Sequence, residues 1–209
     1  LLRSIGNTLA IGLGSGMIGV LFYSIIAYVI VRTSYRARWA LDFLSWLPWS
    51  IPGILLGVAL LWFFLQTRIF LPIYGTIWAL FFAYLALGTP VSVRVMSGAY
   101  AQLSFDLEEC SRVHGATFFQ TLTRILVALA WPAFAVGWVL AFFGIMRELS
   151  ASIMLYTTGS EVLSVVLVKR WVNGLAEEVS VIGLLMMMLV IVFRWVQLVV
   201  IKRRISTLT

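Results

Sequence analysis

Five stretches of this sequence are too long and too apolar for a water-soluble core. Ile5–Val31 runs 27 residues without a charge, Phe43–Thr67 and Ile69–Val93 run 25 each, and Ile125–Met146 runs 22. Val179–Ile201 carries one charge, Arg194. A helix of roughly 20 apolar residues crosses the hydrocarbon core of a bilayer. Inside lipid, backbone groups find partners only within a helix or a closed barrel. A barrel requires short alternating segments, which this chain lacks. The sequence therefore predicts an all-α polytopic membrane protein. Its spans lie at about 5–31, 43–67, 69–93, 125–146 and 179–201, in one domain over residues 1–209.

Charge supports the same reading. Soluble domains are about a quarter charged, whereas 11% of these 209 residues are charged and 62% are hydrophobic. The net charge of +7 invites a nucleic-acid reading, but the basic residues are distributed by topology. Arg32, Arg36 and Arg38 follow the first span. Arg94, Arg112 and Arg124 lie between the third and fourth. Lys202, Arg203 and Arg204 follow the fifth. With five crossings these groups share one side, which the positive-inside rule makes cytoplasmic. On the other side Arg68, Arg147, Lys169 and Arg170 are diluted by Glu148, Glu161, Glu177 and Glu178. A nucleic-acid role is excluded on this ground. The segment 149–170 could be mistaken for a sixth span. Its centre, "TTGSE", breaks helix at Gly159, and each half is too short to cross. It is expected to lie partly inserted or interfacial on the outer side.

Within the spans, Gly12 and Gly16 have GxxxG spacing, and Ser15 and Gly19 repeat it. Such residues let helices approach closely, within the chain or against a partner. Pro48, Pro52, Pro90 and Pro132 each remove a backbone donor and are candidate helix kinks. Trp46 and Trp49 suit a membrane interface, and Met186–Met188 suits soft packing. Arg194 is expected to snorkel toward the inner face.

One polar island, "DLEECSRVHGATFFQTLTRI" from Asp106 to Ile125, interrupts these runs. Ser104 can cap a helix whose first turn carries Asp106, with Glu108 and Glu109 behind it, where acids suit the helix dipole. Gly115 interrupts. Thr117 and Gln120 then have the spacing of a capping box. The pattern predicts a short helix, a glycine turn, and a second helix that runs through Arg124 into the fourth span without a hinge. Val113, Ala116, Phe118, Phe119 and Leu122 are apolar within this connection. Exposed aromatics flanked by charge fit a protein docking site, and equally a surface helix lying on the membrane.

The island resembles the EAA loop of binding-protein-dependent ABC importer permeases of type I. That pattern places a glutamate, two alanines, a glycine four positions after the second alanine, then an aliphatic residue and prolines. Glu109, Gly115, Ile125 and Pro132 stand at those places. Cys110 and Ser111 replace the alanines and Ala128 replaces the first proline, which alters the fit to a partner while keeping small residues. The likeness extends along the chain: "NTLAIGLGSGMIGVLFYSIIAYVIVRT" is similar to the family's first core helix, and "MRELSASIMLYTTGSEVLSVVLVKRWVNG" to iron(III)-type permeases. Those often occur as two fused halves. The start at Leu1 rather than Met fits the second half of such a fusion.

The resemblance implies a five-span core with a cytoplasmic coupling loop at about 104–124, in the bacterial inner membrane. It implies that the loop sits in a cleft of a cytoplasmic ATPase dimer. ATP binding would move the loop and swing the spans, while an external or periplasmic binding protein delivers solute. Glu109, Cys110, Ser111, Val113, Gly115, Ala116, Phe118 and Phe119 are the implied coupling residues. The family has Glu-Leu near the outer gate, Glu148–Leu149 matches it, and Arg147 and Glu148 are the implied gate residues. The solute implied is iron(III), with thiamine, sulfate, polyamine or phosphonate as alternatives within the same class. A second permease half, fused or separate, is an implied partner.

Several chemistries are not expected. Lys169 and Lys202 are the only lysines, and neither lies in a GxxxxGK[ST] loop, so any ATP is bound by a partner. His114 and Cys110 alone do not make a metal site, which needs three or four ligands. No cofactor and no catalytic residue is expected. An ion-driven secondary carrier would require acids within the spans. Asp42 stands at an edge and the other acids lie in connections.

Overall fold

The computed structural model describes the backbone of residues 1–206 and the side chains of residues 1–199. It is all helical, with no strand among the described residues. The first long apolar run forms α1 (Leu2–Arg32), about 46 Å at 1.5 Å per residue. α2 (Arg38–Ser50) and α3 (Gly53–Gln66) follow. After a short 3₁₀ turn at Leu71–Ile73 comes α4 (Ile77–Ala101). The polar island gives α5 (Asp106–Val113) and α6 (Phe118–Thr121). A π-helical segment, Leu122–Leu126, leads to α7 (Val127–Leu129) and α8 (Trp131–Arg147). α9 (Ser152–Leu155), α10 (Leu163–Val172) and α11 (Ala176–Ser206) complete the chain.

Three helices, α1, α4 and α11, are long and apolar enough to cross a membrane; there are up to five spans if each of two bent pairs is one. The run predicted at 43–67 is one such pair, with α2 and α3 bent by 111°. Pro52 is the cause. The residue before a proline is driven from helical to extended backbone, and Ile51 has φ −102° and ψ 126°. Pro48 sits inside α2, and α4 runs unbroken through Pro90. The run predicted at 69–93 starts later and ends later as a helix, because Pro72 and Gly75 (φ +80°) form a turn first.

The expectation of a hinge-free passage from the polar island into the fourth span is overturned. The helical stretch Phe118–Leu129 meets α8 at 74°. Within it the Val127 N–H donates to the Leu122 carbonyl, five residues back, so the segment is π-wound. Pro132 then lies in the first turn of α8, where its missing N–H costs nothing.

The core is a bundle of α1, α4 and α8. Toward the end bearing Arg32, Arg94 and Arg112 (the basic end), Val20, Tyr23, Ala27, Val93, Met96, Tyr100 and Phe134 are buried together. Toward the opposite end, Ile11, Leu80, Tyr84, Ile145 and Leu155 form a second cluster. The small-residue stripe on α1 is spent within the chain: Gly12 faces Phe142 and Gly16 faces Trp138, both on α8. At the basic end α2 is tied to α4 by an Arg94–Asp42 ion pair, with Arg94 also donating to Ser45 Oγ (2.8 Å). α11 packs on α10 and α8 and leaves Leu184, Met187, Met188, Ile191 and Trp195 exposed. The Lys202–Arg204 cluster lies outside the described side chains.

Candidate functional site

The polar island folds into a knob at the basic end. Ser104 Oγ accepts the Asp106 N–H (3.2 Å), and Asp106, Glu108 and Glu109 occupy the first turn of α5, at the positive end of its dipole. α5 ends as the Gly115 N–H reaches the Arg112 carbonyl (2.9 Å) and the Ala116 N–H reaches that of Ser111 (3.1 Å). Gly115 has φ +78°, a backbone state that glycine enters without steric cost. The next helix starts on a complete capping box: the Thr117 N–H donates to Gln120 Oε1 (2.8 Å) and the Gln120 N–H to Thr117 Oγ1 (3.4 Å). The Ser111 and Thr121 hydroxyls, both buried, bond at 2.8 Å and fasten α5 to α6.

The eight sequence-predicted coupling residues divide by direction. Glu109, Cys110, Gly115, Val113, Phe118 and Phe119 are exposed, with Val113 at 85% and Phe119 at 73%. Ala116 is half-buried and Ser111 points inward. Phe118 also leans on α1, edge-on to Tyr28 at 5.5 Å between ring centres. Cys110 Sγ lies 3.8 Å from His114 Nδ1, and no group of three or more metal-ligating side chains occurs among the described residues.

Sequence reasoning missed the residues that hold the knob in place. Glu108, not Glu109, is the buried glutamate, 3% exposed. Its Oε1 lies 3.5 Å from Nε of Arg32, whose side chain is wholly buried. Tyr28 Oη donates to Glu108 Oε2 (3.1 Å), and Arg112 approaches the same oxygen (3.5 Å). Arg32 further donates to the Leu103 carbonyl (2.7 Å) and lies 4.2 Å over the Phe105 ring. The available signal was weak: Glu108 and Ser111 share one face of α5 at i, i+3 spacing.

At the opposite end, Glu148 caps α8. Its Oε1 accepts the Ala151 N–H (2.8 Å), and its carbonyl accepts from Ser152 Oγ (3.0 Å) and Ser164 Oγ (2.7 Å). Arg147 is exposed, with its guanidinium 5.8 Å from the Phe143 ring centre. Glu148 borders an open cleft of about 330 Å³ between the α2–α3 break, α4 and α8, whose walls include Trp49, Gly88, Ser92 and Gly144. The segment 149–170 folds down beside α1. Asn7 Nδ2 donates to the carbonyls of Gly159 and Glu161 (3.0 Å each), and the Leu163 N–H donates to Thr8 Oγ1 (2.9 Å). Glu161 is held below the usual carboxylate range, chiefly by the Gly159 N–H and further by Lys169.

Comparison with known proteins agrees with this architecture. Residues 15–206 match the family described as the binding-protein-dependent transport system inner membrane component. A ferric transport system permease protein, FbpB, of Actinobacillus pleuropneumoniae is 25% identical over 84% of this chain and 26% of its own length. A putative ferric permease of Haemophilus influenzae is 27% identical over 76% of this chain and 25% of its own length, so the chain spans about a quarter of these relatives. The spermidine/putrescine permease PotC of Escherichia coli is 24% identical over 92% of this chain and 71% of its own. Among solved structures, a chain of the inward-facing MetNI methionine ABC transporter superposes with TM-score 0.75 at 21% identity, covering 100% of this chain and 96% of that one. A chain of a bacterial ABC transporter for alginate import gives 0.76 at 19% identity, covering 97% and 79%. The fold is that of a type I ABC importer transmembrane domain. Because the family match takes in nearly the whole chain, the protein belongs to the binding-protein-dependent transport system inner membrane components, which are transport permeases.

Proposed function

We propose that this chain is the permease subunit of an ATP-driven importer, working with a cytoplasmic ATPase dimer, a second permease half and an external binding protein. The observation that carries the reading is the knob itself. Two helices turned by Gly115 present Val113, Phe118 and Phe119 to solvent beside the charges of Glu109 and Arg112. Exposed aromatics in a compact, hydrogen-bonded frame are what a cleft in another protein can grip. In this reading the basic end, with the knob and the C-terminus, is cytoplasmic, as the positive-inside rule requires. The ATPase is a separate subunit. Its closure on ATP moves the knob, and the spans pass from inward-facing to outward-facing.

The solute enters from the Glu148 end. Glu148 and Arg147 serve as the outer gate in this proposal, and the cleft bordered by Glu148 and the α2–α3 break is the adjoining part of the path. A helix broken at membrane depth is tolerated where it lines a cavity or is covered by protein. The solute we favour is iron(III), supported by the ferric relatives; the names of others refer to spermidine/putrescine and trehalose.

Copurification tests the partner. The tagged permease should retain its ATPase from detergent-solubilised membranes, and Phe119→Asp should lose it while still inserting. Labelling of Cys110 by a membrane-impermeant thiol reagent from outside intact cells would sink the topology and the reading together. ATP-dependent uptake of radioactive ferric iron into proteoliposomes containing the complete system tests the solute; competition by a polyamine instead would reassign it.

A further inference from the structure

The knob is joined to the membrane helices by two routes, one along the chain and one through side chains. The covalent route leads from α6 into α8. It passes through the π-wound Leu122–Leu126 and a 74° bend at Ala130. A π-wound turn and a sharp bend each interrupt the regular hydrogen-bond ladder of a helix. The second route is not covalent. Glu108, in the first turn of the knob's first helix, reaches Arg32 and Tyr28 at the end of α1. Both charged side chains are at least nine-tenths buried. Arg32 is held a second time by the Leu103 carbonyl and lies on the Phe105 ring. Tyr28 is braced edge-on by Tyr100 and Phe118.

A buried ion pair is a weak source of stability, because desolvation offsets most of its attraction, yet breaking it on one side leaves a charge without compensation. Its main effect is to fix geometry. α1 in turn is bonded to α4: Tyr23 Oη donates to the Leu85 carbonyl (2.7 Å), and the Ser24 and Tyr100 hydroxyls pair. The knob is therefore braced on α1 and α4 by side chains, whereas along the chain it reaches α8 only through the π-wound, bent segment, whose Leu126 and Ala130 pack on the same α1–α4 core.

We infer that Arg32 and Glu108, with Tyr28, are positioning residues that deliver the knob's displacement to the membrane through α1, rather than through the chain's own continuation into α8. This rests on the proposal above that the knob takes up an ATPase's motion. None of the three touches solute or nucleotide in this scheme; they act by holding the knob to α1.

The test uses the complete transporter in lipid nanodiscs, with ketone-reactive spin labels on p-acetylphenylalanine placed at exposed Leu21 of α1 and Val136 of α8, so that Cys110 stays in place. A non-hydrolysable ATP analogue should shift the distance between the labels. Glu108→Gln and Arg32→Gln should each reduce that shift about fivefold or more while the ATPase stays bound, since one charge is left unpaired. The double variant Arg32→Gln with Glu108→Gln should lose little more than either single variant, the signature of a pairwise contact. Tyr28→Phe, which removes a single hydroxyl and preserves packing, should reduce it about twofold. An undiminished shift in Glu108→Gln, a double variant whose loss is the full product of the two single losses, or an unchanged Tyr28→Phe in an assembled complex overturns the inference. So does a wild-type complex in which α1 does not move relative to α8. Failure of any ATPase to bind the wild-type permease would instead strike the parent proposal.

Discussion

Gly16 of α1 lies against the indole of Trp138 of α8 so closely that a Cβ built on it would stand 2.0 Å from Cδ1 and 2.2 Å from Nε1. Gly14, two residues earlier on the same helix, has nothing within 4 Å of such an atom. The two glycines should respond oppositely to substitution. Gly16→Leu should force the indole aside and lower the detergent-solubilised melting temperature, consistent with an overpacking cost of about 1–3 kcal/mol. Gly14→Ala should be neutral or raise it, since alanine is favoured over glycine within a helix by about 1 kcal/mol. Thermal unfolding of the two variants side by side checks this, and equal responses would contradict the packing.

Gly115 is constrained by backbone alone. Its φ is +78° and a Cβ added there would meet no atom within 4 Å, so space is available and conformation is not. Asparagine enters the left-handed region more easily than other side chains, whereas a β-branched residue resists it. Gly115→Asn should therefore retain ATPase copurification. Gly115→Val should lose most of it and still insert in the membrane, with a local cost of about 1–2 kcal/mol.

The hydroxyls of Tyr84 on α4 and Ser152 on α9 bond at 2.7 Å, and both residues are buried. Ser152 also donates to the Glu148 carbonyl, so Tyr84 acts through Ser152 on the residue at the end of α8. Tyr84→Phe should lower stability by about 1 kcal/mol, the net worth of one hydrogen bond. Protection of the segment around Ser152 in hydrogen exchange should fall with it, and an unchanged exchange pattern would argue against the tie.

The Glu161 carboxylate accepts the Gly159 N–H (3.0 Å) and pairs with Lys169 (3.2 Å). These contacts, the backbone one first, lower its pKa. Its stabilising contribution is then present above the ordinary glutamate pKa of about 4.3 and is lost as pH falls through the lower folded value. Limited proteolysis of the 156–161 turn in proteoliposomes should accelerate as pH is lowered through that window. In Glu161→Gln the turn should be cut faster at neutral pH, with this pH dependence flattened. A wild-type profile in the variant would show that the carboxylate does not hold the turn.

What the sequence determined by itself was set by neighbours a few residues apart. Uncharged runs as long as Ile5–Val31 must become helix in lipid, and Pro52 must interrupt one. Ser104, Gly115 and the Thr117–Gln120 pair encode the helix, turn and restart of the polar island, because caps and turns are satisfied within three or four residues. The tertiary structure decided which glutamate is buried. Glu108 and Glu109 are indistinguishable by type, and only the docking of α5 on the end of α1, 76 positions back in sequence, brings Arg32 to one and leaves the other in water. It also decided that the joint into α8 is π-wound and bent by 74°; Pro132 marks a kink there in the sequence, but neither its angle nor the winding before it. Helical periodicity fixes the faces of each helix, but the rotation and register between helices depend on side-chain packing across the whole bundle, which no local stretch contains.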